Sequence, residues 1–525
     1  MDLPDLSQGM PPDGSVTVPT ECDVLVVGGG INGAGIARDL AGRGLRVVLC
    51  ERDDLAAHTS SASTKLIHGG LRYLEYGAIG LVRKALQERE VLLRSAPHIM
   101  RPLRFVMPHA AGMRPAWMIR LGLFAYDHLA RREWLPGSGV VDLAHDPLGA
   151  PLDSRYRRGF AYSDGWVDDA RLVALCAVDA AERGATVRTR TACVRAVRGA
   201  ASWTATLRGA DAADHRLVAR ALVNAAGPWA QQVLGTVLCA ADGRPLHDGG
   251  RLRLVRGSHI VVPRLFDHDA AYLLQADDGR VVFAIAYEGD FTLIGTTEVE
   301  VAEPDGAERC SDAEVTYLCA QAGRYFRVPL RPEQVVWRYA GVRPLLDDGA
   351  GTATSATRDY RLDLDAAAAP LLTVLGGKIT TFRRLAEEAG DRLCAALGER
   401  RGGWTRSAVL PGGDLSGWIG PPQRPDVDFD RFVVAVRSRH PWLPPALALR
   451  LCRAYGSRID RVLVAADGRP AAALADLGAE VAPGLHAAEL RYLQTVEWAR
   501  CADDVLWRRS KLGLHGLAAP RAARA

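Results

Sequence analysis

The sequence predicts an α/β protein with a Rossmann-like domain, a β-rich domain inserted into it, and a C-terminal helical domain. Three observations support this class: a strand, glycine turn and helix near the N terminus; two later strand-like runs that also end in glycine turns; and helical spacing of apolar residues in the last quarter. At 525 residues the chain is long enough for roughly two to four domains.

The first observation is a complete βαβ pattern. Residues 22–27 (CDVLVV) form an apolar strand that leads into GGGINGAG at 28–35, and a helical stretch continues to about residue 41. A second apolar strand follows at 45–50 (LRVVLC) and ends at Glu51. Strand, turn, helix, second strand and terminal acid therefore agree in order and spacing.

This pattern predicts a dinucleotide site. Gly28 and Gly30 allow the turn and the approach of a pyrophosphate to the backbone, and Gly33 allows close packing of helix on strand. Glu51 is placed to accept the ribose hydroxyls and disfavours a 2′-phosphate by charge repulsion. We include Asn32 of the turn among the cofactor-binding candidates. The motif leaves FAD and NAD open.

Two later segments are predicted to return to the same sheet. Residues 219–223 form a strand-like run that ends near Gly227, and residues 370–375 form another that ends in Gly376-Gly377-Lys378. Between them, alternating apolar residues, for example at 258–262 and 281–285, indicate an inserted β-rich substrate domain. Gly227 and Gly377, with Thr380 at the start of the next predicted helix, are further cofactor-binding candidates.

We divide the chain accordingly. Residues 1–20 form a disordered leader without the features of a signal peptide, and residues 516–525 form a disordered tail. The predicted units are an oxidoreductase region at 21–400, with nucleotide segments at about 21–100, 150–230 and 340–400 and the substrate domain interleaved at about 101–150 and 231–340; a linker at 401–425; and a helical domain at 426–515.

Composition excludes several other classes. The chain has 65 Lys and Arg against 61 Asp and Glu, a formal net charge of +4, so nothing supports nucleic-acid binding. Ten Cys occur without a C-x-x-C pair, which argues against a zinc ribbon, an iron–sulfur cluster or a redox dithiol. We therefore predict no metal site and interpret the cysteines as reduced intracellular thiols.

Further motifs carry a resemblance to a known family. They include SSASTKLIHGGLRYLE at 60–75, RPAWM at 114–118, YSD at 162–164, WVDDARL at 166–172, GSHIVVP at 257–263, IGTT at 294–297, GVRP at 341–344 and GGK at 376–378. Together with the glycine turn, they closely resemble the FAD-dependent glycerol-3-phosphate dehydrogenases of the D-amino-acid-oxidase-like superfamily. The resemblance extends from Cys22 to about Leu514.

The resemblance implies FAD as cofactor and oxidation of sn-glycerol 3-phosphate to dihydroxyacetone phosphate. Hydride would pass from carbon 2 to flavin N5, and electrons would leave to a quinone. This chemistry requires cations for the phosphate, a proton acceptor for the hydroxyl, and a positive field near the reduced flavin. A glycerol-3-phosphate oxidase that uses O₂ and a non-catalytic dinucleotide-binding redox sensor are the alternatives.

Candidate residues for these tasks follow from the motifs and the resemblance. Arg72 and Tyr73 are predicted to bind substrate, and Arg343 and Lys378 to bind substrate and assist catalysis. Lysine is rare in this chain, occurring at positions 65, 84, 378 and 511, which adds interest to Lys378 because Arg does not replace it neutrally.

Two histidines are candidates for the proton acceptor. The resemblance places His259 towards the substrate, so we favour His259 as base or hydroxyl ligand. It places His68 nearer the flavin, and the remaining cofactor-binding candidates are Ser61, Ser63, Thr64 and His68 itself.

Membrane contact is the last expectation. Residues 113–132 (MRPAWMIRLGLFAYDHLARR) combine apolar residues with Arg at roughly helical spacing, and residues 498–512 are similar. Either segment could instead pack on the protein. Because the resembled family reduces quinone, we expect a cytoplasmic protein that binds peripherally to the inner face of the cytoplasmic membrane. The sequence leaves a homodimer open.

Overall fold

The computed structural model describes residues 19–246, 252–347 and 358–516. Two large β-sheets and a C-terminal group of helices make up this part of the chain. The strands are β1 (Glu21–Val27), β2 (Val47–Cys50), β3 (Leu66–Ile67), β4 (Met100–His109), β5 (Gly139–Val141), β6 (Arg158–Val167), β7 (Thr186–Arg188), β8 (Ala192–Arg198), β9 (Trp203–Arg208), β10 (Asp214–Asn224), β11 (Leu238–Cys239), β12 (Leu252–Pro263), β13 (Ala271–Gln275), β14 (Val281–Tyr287), β15 (Phe291–Gly295), β16 (Val299–Val301), β17 (Trp337–Leu346), β18 (Tyr360–Asp365), β19 (Leu371–Gly376), β20 (Glu480–Ala482) and β21 (Leu485–His486).

The helices connect and cover these sheets. They are α1 (Ile31–Gly42), α2 (Ile79–Ser95), α3 (Ala116–His128), α4 (Asp169–Glu182), α5 (Ala230–Thr236), α6 (Asp312–Gly323), α7 (Phe382–Leu397), α8 (Ser416–Ile419), α9 (Pro425–Arg439), α10 (Pro445–Tyr455), α11 (Ile459–Val462) and α12 (Ala487–Val496). Among the described residues, no helix has the length and apolar character needed to span a bilayer.

The first sheet joins the three predicted nucleotide segments. Strands β7, β2, β1, β10 and β19 lie side by side and parallel, and β8, β9 and β18 add antiparallel strands. Its central strand β1 is buried on both faces after its first residue, which explains its continuous apolar sequence. Helices α1, α4 and α7 share a core with one face of the sheet. Because β1, β10 and β19 are parallel, their carboxyl ends lie at the same edge of the sheet and face the same cavity.

The second sheet forms the β-rich domain. Its order is β16, β12, β15, β14, β13, β4, β6, β3, with β17 paired to β12 and β5 to β6. Strand β6 lies in the span 150–230, which the sequence assigned to the nucleotide segments, but β6 pairs along its whole length with β4 in the second sheet. The residues that follow, from α4 to β10, return to the first sheet, so the chain crosses between the sheets inside this span.

The C-terminal helices have a core of their own, which includes Phe432, Leu451 and Leu493. Apolar residues at 432–455 show helical spacing throughout, whereas the structure has two helices here, α9 and α10. The break falls at residues 440–445 (HPWLPP), where prolines lack the backbone N–H that a continuous helix needs.

The segment predicted as a linker, 401–425, is anchored to the first sheet's helices. Trp404 Nε1 donates a hydrogen bond to the Asp39 carbonyl at 3.0 Å, and the Arg183 guanidinium lies 3.9 Å from the Trp404 ring centre. A Cβ atom at position 42 would lie 2.0 Å from the Trp404 ring, so Gly42 makes room for it. The segment therefore fixes the C-terminal helices to α1.

Candidate functional site

A cavity of about 680 Å³ runs between the two sheets and is lined by most of the predicted site residues. Thirteen of them line it: Gly28, Gly30, Asn32, Glu51, Ser63, Thr64, His68, Arg72, Tyr73, Gly227, Arg343, Gly377 and Lys378. Gly33, Ser61, His259 and Thr380 are not among the described residues that line it. Residues from both sheets therefore line one cavity, and most of the predicted site residues lie in its wall.

The glycine-turn region of the cavity consists of Gly28–Asn32 and Glu51. Gly28 has a φ of +112°, and a Cβ atom at Gly33 would lie 1.9 Å from the Gly28 carbonyl oxygen. These two positions therefore accept only glycine without a shift of the backbone. The turn ends at Ile31, where α1 begins with its N terminus at the cavity.

Glu51 closes this region. Its carboxylate accepts hydrogen bonds from Gly29 N at 2.6 Å and from Asp53 N at 2.8 Å. Burial raises the pKa of Glu51, while the two N–H groups favour its ionised form. The acid is thus held rigidly at the cavity wall immediately after β2.

In the serine-rich loop after β2, several serine side chains bind other parts of the protein. Ser60, which sequence reasoning missed, lines the cavity and accepts a hydrogen bond from Ile31 N at 3.0 Å. Ser61 Oγ instead donates to the His58 carbonyl at 3.2 Å. Ser63 donates to the buried Asp169 carboxylate at 2.7 Å, which also binds Lys65 Nζ at 2.8 Å. Most of these side chains therefore fix the loop.

The cationic region of the cavity consists of Arg72, Arg343, Arg358 and Lys378. Arg343, on β17, donates to Thr296 Oγ1 at 2.9 Å, and Arg358 donates to Glu298 at 2.7 Å. Burial and the neighbouring Arg358 lower the pKa of Arg343. Four cations face one carboxylate, Glu298, among the described residues of this region, and such an excess of positive charge suits an anion.

Lys378 follows Gly377 (φ +105°) at the end of β19, and its ammonium donates to the His68 carbonyl at 2.6 Å. The Nζ atom also lies 5.2 Å from the centre of the Tyr73 ring. Burial lowers the pKa of Lys378 to about 7, with Asp164 acting to raise it and Arg358 to lower it. This ammonium can therefore change charge near neutral pH.

The two histidine candidates occupy different environments. His68 lines the cavity, and burial together with the nearby Lys378 and Arg343 holds the pKa of His68 well below its usual range. His259 is fully buried, its Nε2 lies 2.9 Å from Thr64 Oγ1, and its ring stacks on Tyr339 at 4.9 Å. The structure therefore brings His68 to the cavity and places His259 behind Thr64.

Thr380 supports the same loop from outside the cavity. Its hydroxyl accepts from His68 N at 3.2 Å and donates to the His68 carbonyl at 3.3 Å. Sequence reasoning missed Arg358 and Glu298, which no recognised motif contains. Glu298 directly follows the IGTT motif at 294–297, and this proximity was the available signal; Arg358 had none.

The lining of the cavity has the groups that FAD requires. Asn32 Oδ1 is buried without a hydrogen-bond partner among the described residues, at the start of α1. Gly28, Gly30, Gly227 and Gly377 all line the cavity without a side chain that would block a planar, extended ligand. Donor groups, an orphaned amide oxygen and the Glu51 carboxylate therefore fit a dinucleotide.

Comparison with known proteins agrees with this fit. Residues 23–410 match the family model described as FAD dependent oxidoreductase, and residues 404–525 match the C-terminal domain of alpha-glycerophosphate oxidase. The chain is 49% identical to D-erythritol 1-phosphate dehydrogenase of Brucella abortus, over 96% of this chain and 97% of that protein. It is 48% identical to glycerol-3-phosphate dehydrogenase of Pseudomonas aeruginosa, over 94% and 92%.

A solved structure shows the same fold. Glycerol-3-phosphate dehydrogenase from Bacillus halodurans, complexed with FAD, has a TM-score of 0.71 and 25% identity, covering 96% of this chain and 90% of that one. The predicted fold class, the resemblance and the FAD cofactor are thereby confirmed. The chain belongs to the FAD-dependent oxidoreductase family, in the group that contains the glycerol-3-phosphate dehydrogenases.

Proposed function

We propose that this enzyme oxidises the secondary hydroxyl of sn-glycerol 3-phosphate to the ketone of dihydroxyacetone phosphate. The convergence of Arg72, Arg343, Arg358 and Lys378 on the cavity that carries the glycine turn is the observation that supports it most. Cations of this kind bind phosphate by charge-assisted hydrogen bonds. When bound, FAD supplies the two-electron acceptor that the oxidation requires.

The residues of the glycine-turn region would hold FAD. The backbone of Gly28 and Gly30 and the N terminus of α1 would face the pyrophosphate, and Glu51 the ribose. Asn32 has a buried oxygen free for a donor on the cofactor.

The cationic region would hold the substrate. Arg343 is fixed by Thr296, and Glu298 fixes Arg358, so both guanidinium groups are oriented before a ligand arrives. Such preorganisation avoids an ordering cost on binding. We propose that Arg72, Arg343 and Lys378 bind the phosphate and the reacting oxygen, with Tyr73 as a further hydrogen-bond partner.

We propose His68 as the proton acceptor, with His259 as a residue that supports Thr64. Of the two candidate histidines, His68 is the one that lines the cavity, where a neutral imidazole can take the proton of the substrate hydroxyl. Its buried, cation-rich surroundings lower its pKa, so it is neutral but a weaker base than a free imidazole. His259 shares the low pKa, but Thr64 separates it from the cavity. This revises the preference for His259 that the resemblance suggested.

D-Erythritol 1-phosphate is a second candidate substrate, favoured by the 49% identical relative that bears this name. The two compounds share a phosphate ester and a chain of hydroxyls, and the tetritol is one carbon longer. The ratio of kcat/KM for the two esters decides between them, and glycerol is the control for the phosphate. A preference of more than about tenfold, equal to about 1.4 kcal/mol, identifies the substrate.

We further propose that the enzyme binds peripherally to an anionic membrane through α3. Trp117, Leu121 and Phe124 lie on one side of α3 and are 65%, 60% and 60% exposed, while Leu123 and Tyr126 on the other side are buried. Exposed Arg120 lies among them. An apolar helix face with basic residues matches an interfacial helix.

The segment Leu71–Tyr76 contacts α3 and lines the cavity, so it connects this surface to the site and supports a quinone as electron acceptor. Tyr76 lines the cavity and is itself exposed, beside the exposed Ile79 at the start of α2. A membrane-dissolved acceptor could therefore approach from the α3 side.

Flotation with anionic liposomes tests the membrane proposal. The wild-type protein should float, and a Leu121→Asp/Phe124→Asp variant should stay at the bottom of the gradient. A matched Val434→Asp variant, at an exposed apolar residue of the C-terminal helices, should float as the wild type does. Equal flotation of the Leu121/Phe124 variant would contradict it.

Turnover with a soluble quinone, measured together with peroxide, tests the reaction. Quinone reduction coupled to ketone formation, with little peroxide, supports a dehydrogenase. Peroxide in proportion to substrate would identify the O₂-using oxidase, and no substrate-dependent turnover would favour the redox sensor.

A further inference from the structure

We propose that Asp164, acting through Tyr126, is a positioning residue that fixes the His68–Gly69 peptide in the wall of the site. The inference deepens the proposed function and rests on it. Asp164 ends the YSD motif at 162–164, to which neither the fold nor the proposed reaction gives a part. It lies in β6, and only 1% of it is exposed.

The first step is the contact between Asp164 and the phenol. Tyr126, on the buried side of α3, donates its hydroxyl hydrogen to the Asp164 carboxylate, 2.7 Å from Oδ2 and 2.9 Å from Oδ1. The same oxygen accepts a hydrogen bond from Gly69 N at 2.8 Å, and Gly69 N also makes a longer contact, at 3.4 Å, with Asp164 Oδ1. The carboxylate therefore orients the phenol, and the phenol holds the peptide N–H.

The second step is the other side of the same peptide unit. The carbonyl of that unit belongs to His68 and accepts from Lys378 Nζ at 2.6 Å. One peptide therefore joins a buried carboxylate to the ammonium of the cationic region, and each hydrogen bond in such a chain strengthens the next. His68, the proposed proton acceptor, is attached to this peptide.

Glycine at position 69 allows the Tyr126 hydroxyl to approach the backbone closely. A Cβ atom at position 69 would lie 2.6 Å from the Tyr126 hydroxyl oxygen, inside a normal contact distance. Gly69 thus admits the phenol, and any other residue would push it away from the peptide.

A buried arginine, Arg89, stabilises the negative charge of Asp164. Arg89 Nη1 donates to Asp164 Oδ1 at 2.8 Å, and Arg89 is as deeply buried as its partner. Burial raises the pKa of Asp164, while Arg89 and the Tyr126 hydroxyl act to lower it.

The carboxylate affects Lys378 electrostatically as well. Burial and Arg358 lower the pKa of Lys378, and Asp164 opposes them. The charged and titratable groups that act on this ammonium or lie beside it are Asp164, Arg358, His68 and Tyr73. Arg343 and Arg89 act on the neighbouring His68. Loss of the Asp164 charge should therefore make Lys378 lose its proton at a lower pH.

Two variants separate these effects. Asp164→Asn removes the charge and should lower kcat by on the order of ten- to a hundredfold, because the site is sensitive to small displacements. It should also shift the fall of kcat/KM at rising pH to a lower pH. Tyr126→Phe keeps the charge, so it should lower kcat less and leave the pH of the fall nearly unchanged.

Tyr455→Phe is the matched control, since Tyr455 is a buried tyrosine whose hydroxyl donates to the Glu489 carboxylate at 2.8 Å in the C-terminal helices. Its kcat and pH profile should equal those of the wild type. All variants are measured as FAD-loaded proteins with sn-glycerol 3-phosphate, and their thermal midpoints are recorded.

The outcomes are separable. Variants of Asp164 and Tyr126 within twofold of the wild type in kcat would overturn the proposal, as would an unshifted pH profile for Asp164→Asn. If Asp164→Asn does not fold, Tyr126→Phe decides alone through kcat. A wild-type enzyme that oxidises neither polyol phosphate would instead overturn the proposed function.

Discussion

The glycine-turn region and the cationic region line the same cavity but are built in different ways. The first takes its groups from one βαβ unit, with Gly28–Asn32 in the turn and Glu51 after β2, and uses mainly backbone. The second takes side chains from Arg72, Arg343, Arg358 and Lys378, which are far apart in the chain. A cofactor site can thus be local, whereas a substrate site depends on how two sheets meet.

We expect the largest loss of activity from substitutions in the cationic region. Arg343→Ala and Lys378→Ala should each lower kcat/KM by about a hundred- to a thousandfold, because each removes a preorganised cation that faces developing charge. Flavin absorbance per protein should not change. Arg208→Ala, at an exposed arginine paired with Asp214, is the control. Near-normal kcat/KM in either variant would exclude that residue from the site.

The second prediction distinguishes the two histidines. His68→Gln should lower kcat by about a hundredfold, in the range expected for loss of a general base. His259→Gln should lower it by less than about tenfold, since it acts only on Thr64. Single-turnover kinetics at saturating substrate measure both. The reverse order would restore His259 as the base.

The third prediction concerns the glycine-turn region. Glu51→Arg should lose FAD, because the cation cannot accept from Gly29 N and replaces a ribose acceptor. Glu51→Gln keeps one acceptor oxygen and should weaken FAD binding by only about tenfold. Titration of the apoprotein with FAD measures both. Full flavin occupancy in Glu51→Arg would remove the ribose role.

The fourth and smallest effect is a pH dependence of the cationic region, which the glycine-turn region does not share. Because burial lowers the pKa of Lys378 to about 7, its side chain is mostly protonated below that pH and loses the positive charge as pH rises through it. Above about pH 7, kcat/KM should fall by at most tenfold per pH unit while FAD stays bound. Lys378→Arg should be less active at pH 6 but lack this fall. A wild-type profile flat from pH 6 to 9 would contradict it.

The same contrast explains what the sequence could predict. The turn at Gly28, its strands and Glu51 are encoded within about 30 residues, so pattern alone located them. Lys378 stood out because it follows two glycines in a lysine-poor chain. Membership of β6 in the second sheet, the roles of Arg358 and Glu298, and the burial of His259 arise from tertiary contacts that no local pattern carries.

The serine-rich loop shows most clearly what sequence alone could not predict, namely which serine hydroxyls face the cavity. Ser61 and Ser63 were predicted to contact cofactor, and their hydroxyls bind His58 and Asp169, although Ser63 lines the cavity as Ser60 does. Three serines within four residues are equivalent in sequence, and only the turn of the loop distinguishes them.

The most direct test of the central claim is the visible spectrum of the purified, FAD-loaded protein under anaerobic conditions. Spectra are compared before and after addition of sn-glycerol 3-phosphate, D-erythritol 1-phosphate and glycerol. Bleaching of the flavin band by a phosphate ester, and not by glycerol, is the predicted result, since the cationic region selects the phosphate. A flavin band that no phosphate ester bleaches would contradict the proposed oxidation of a polyol phosphate.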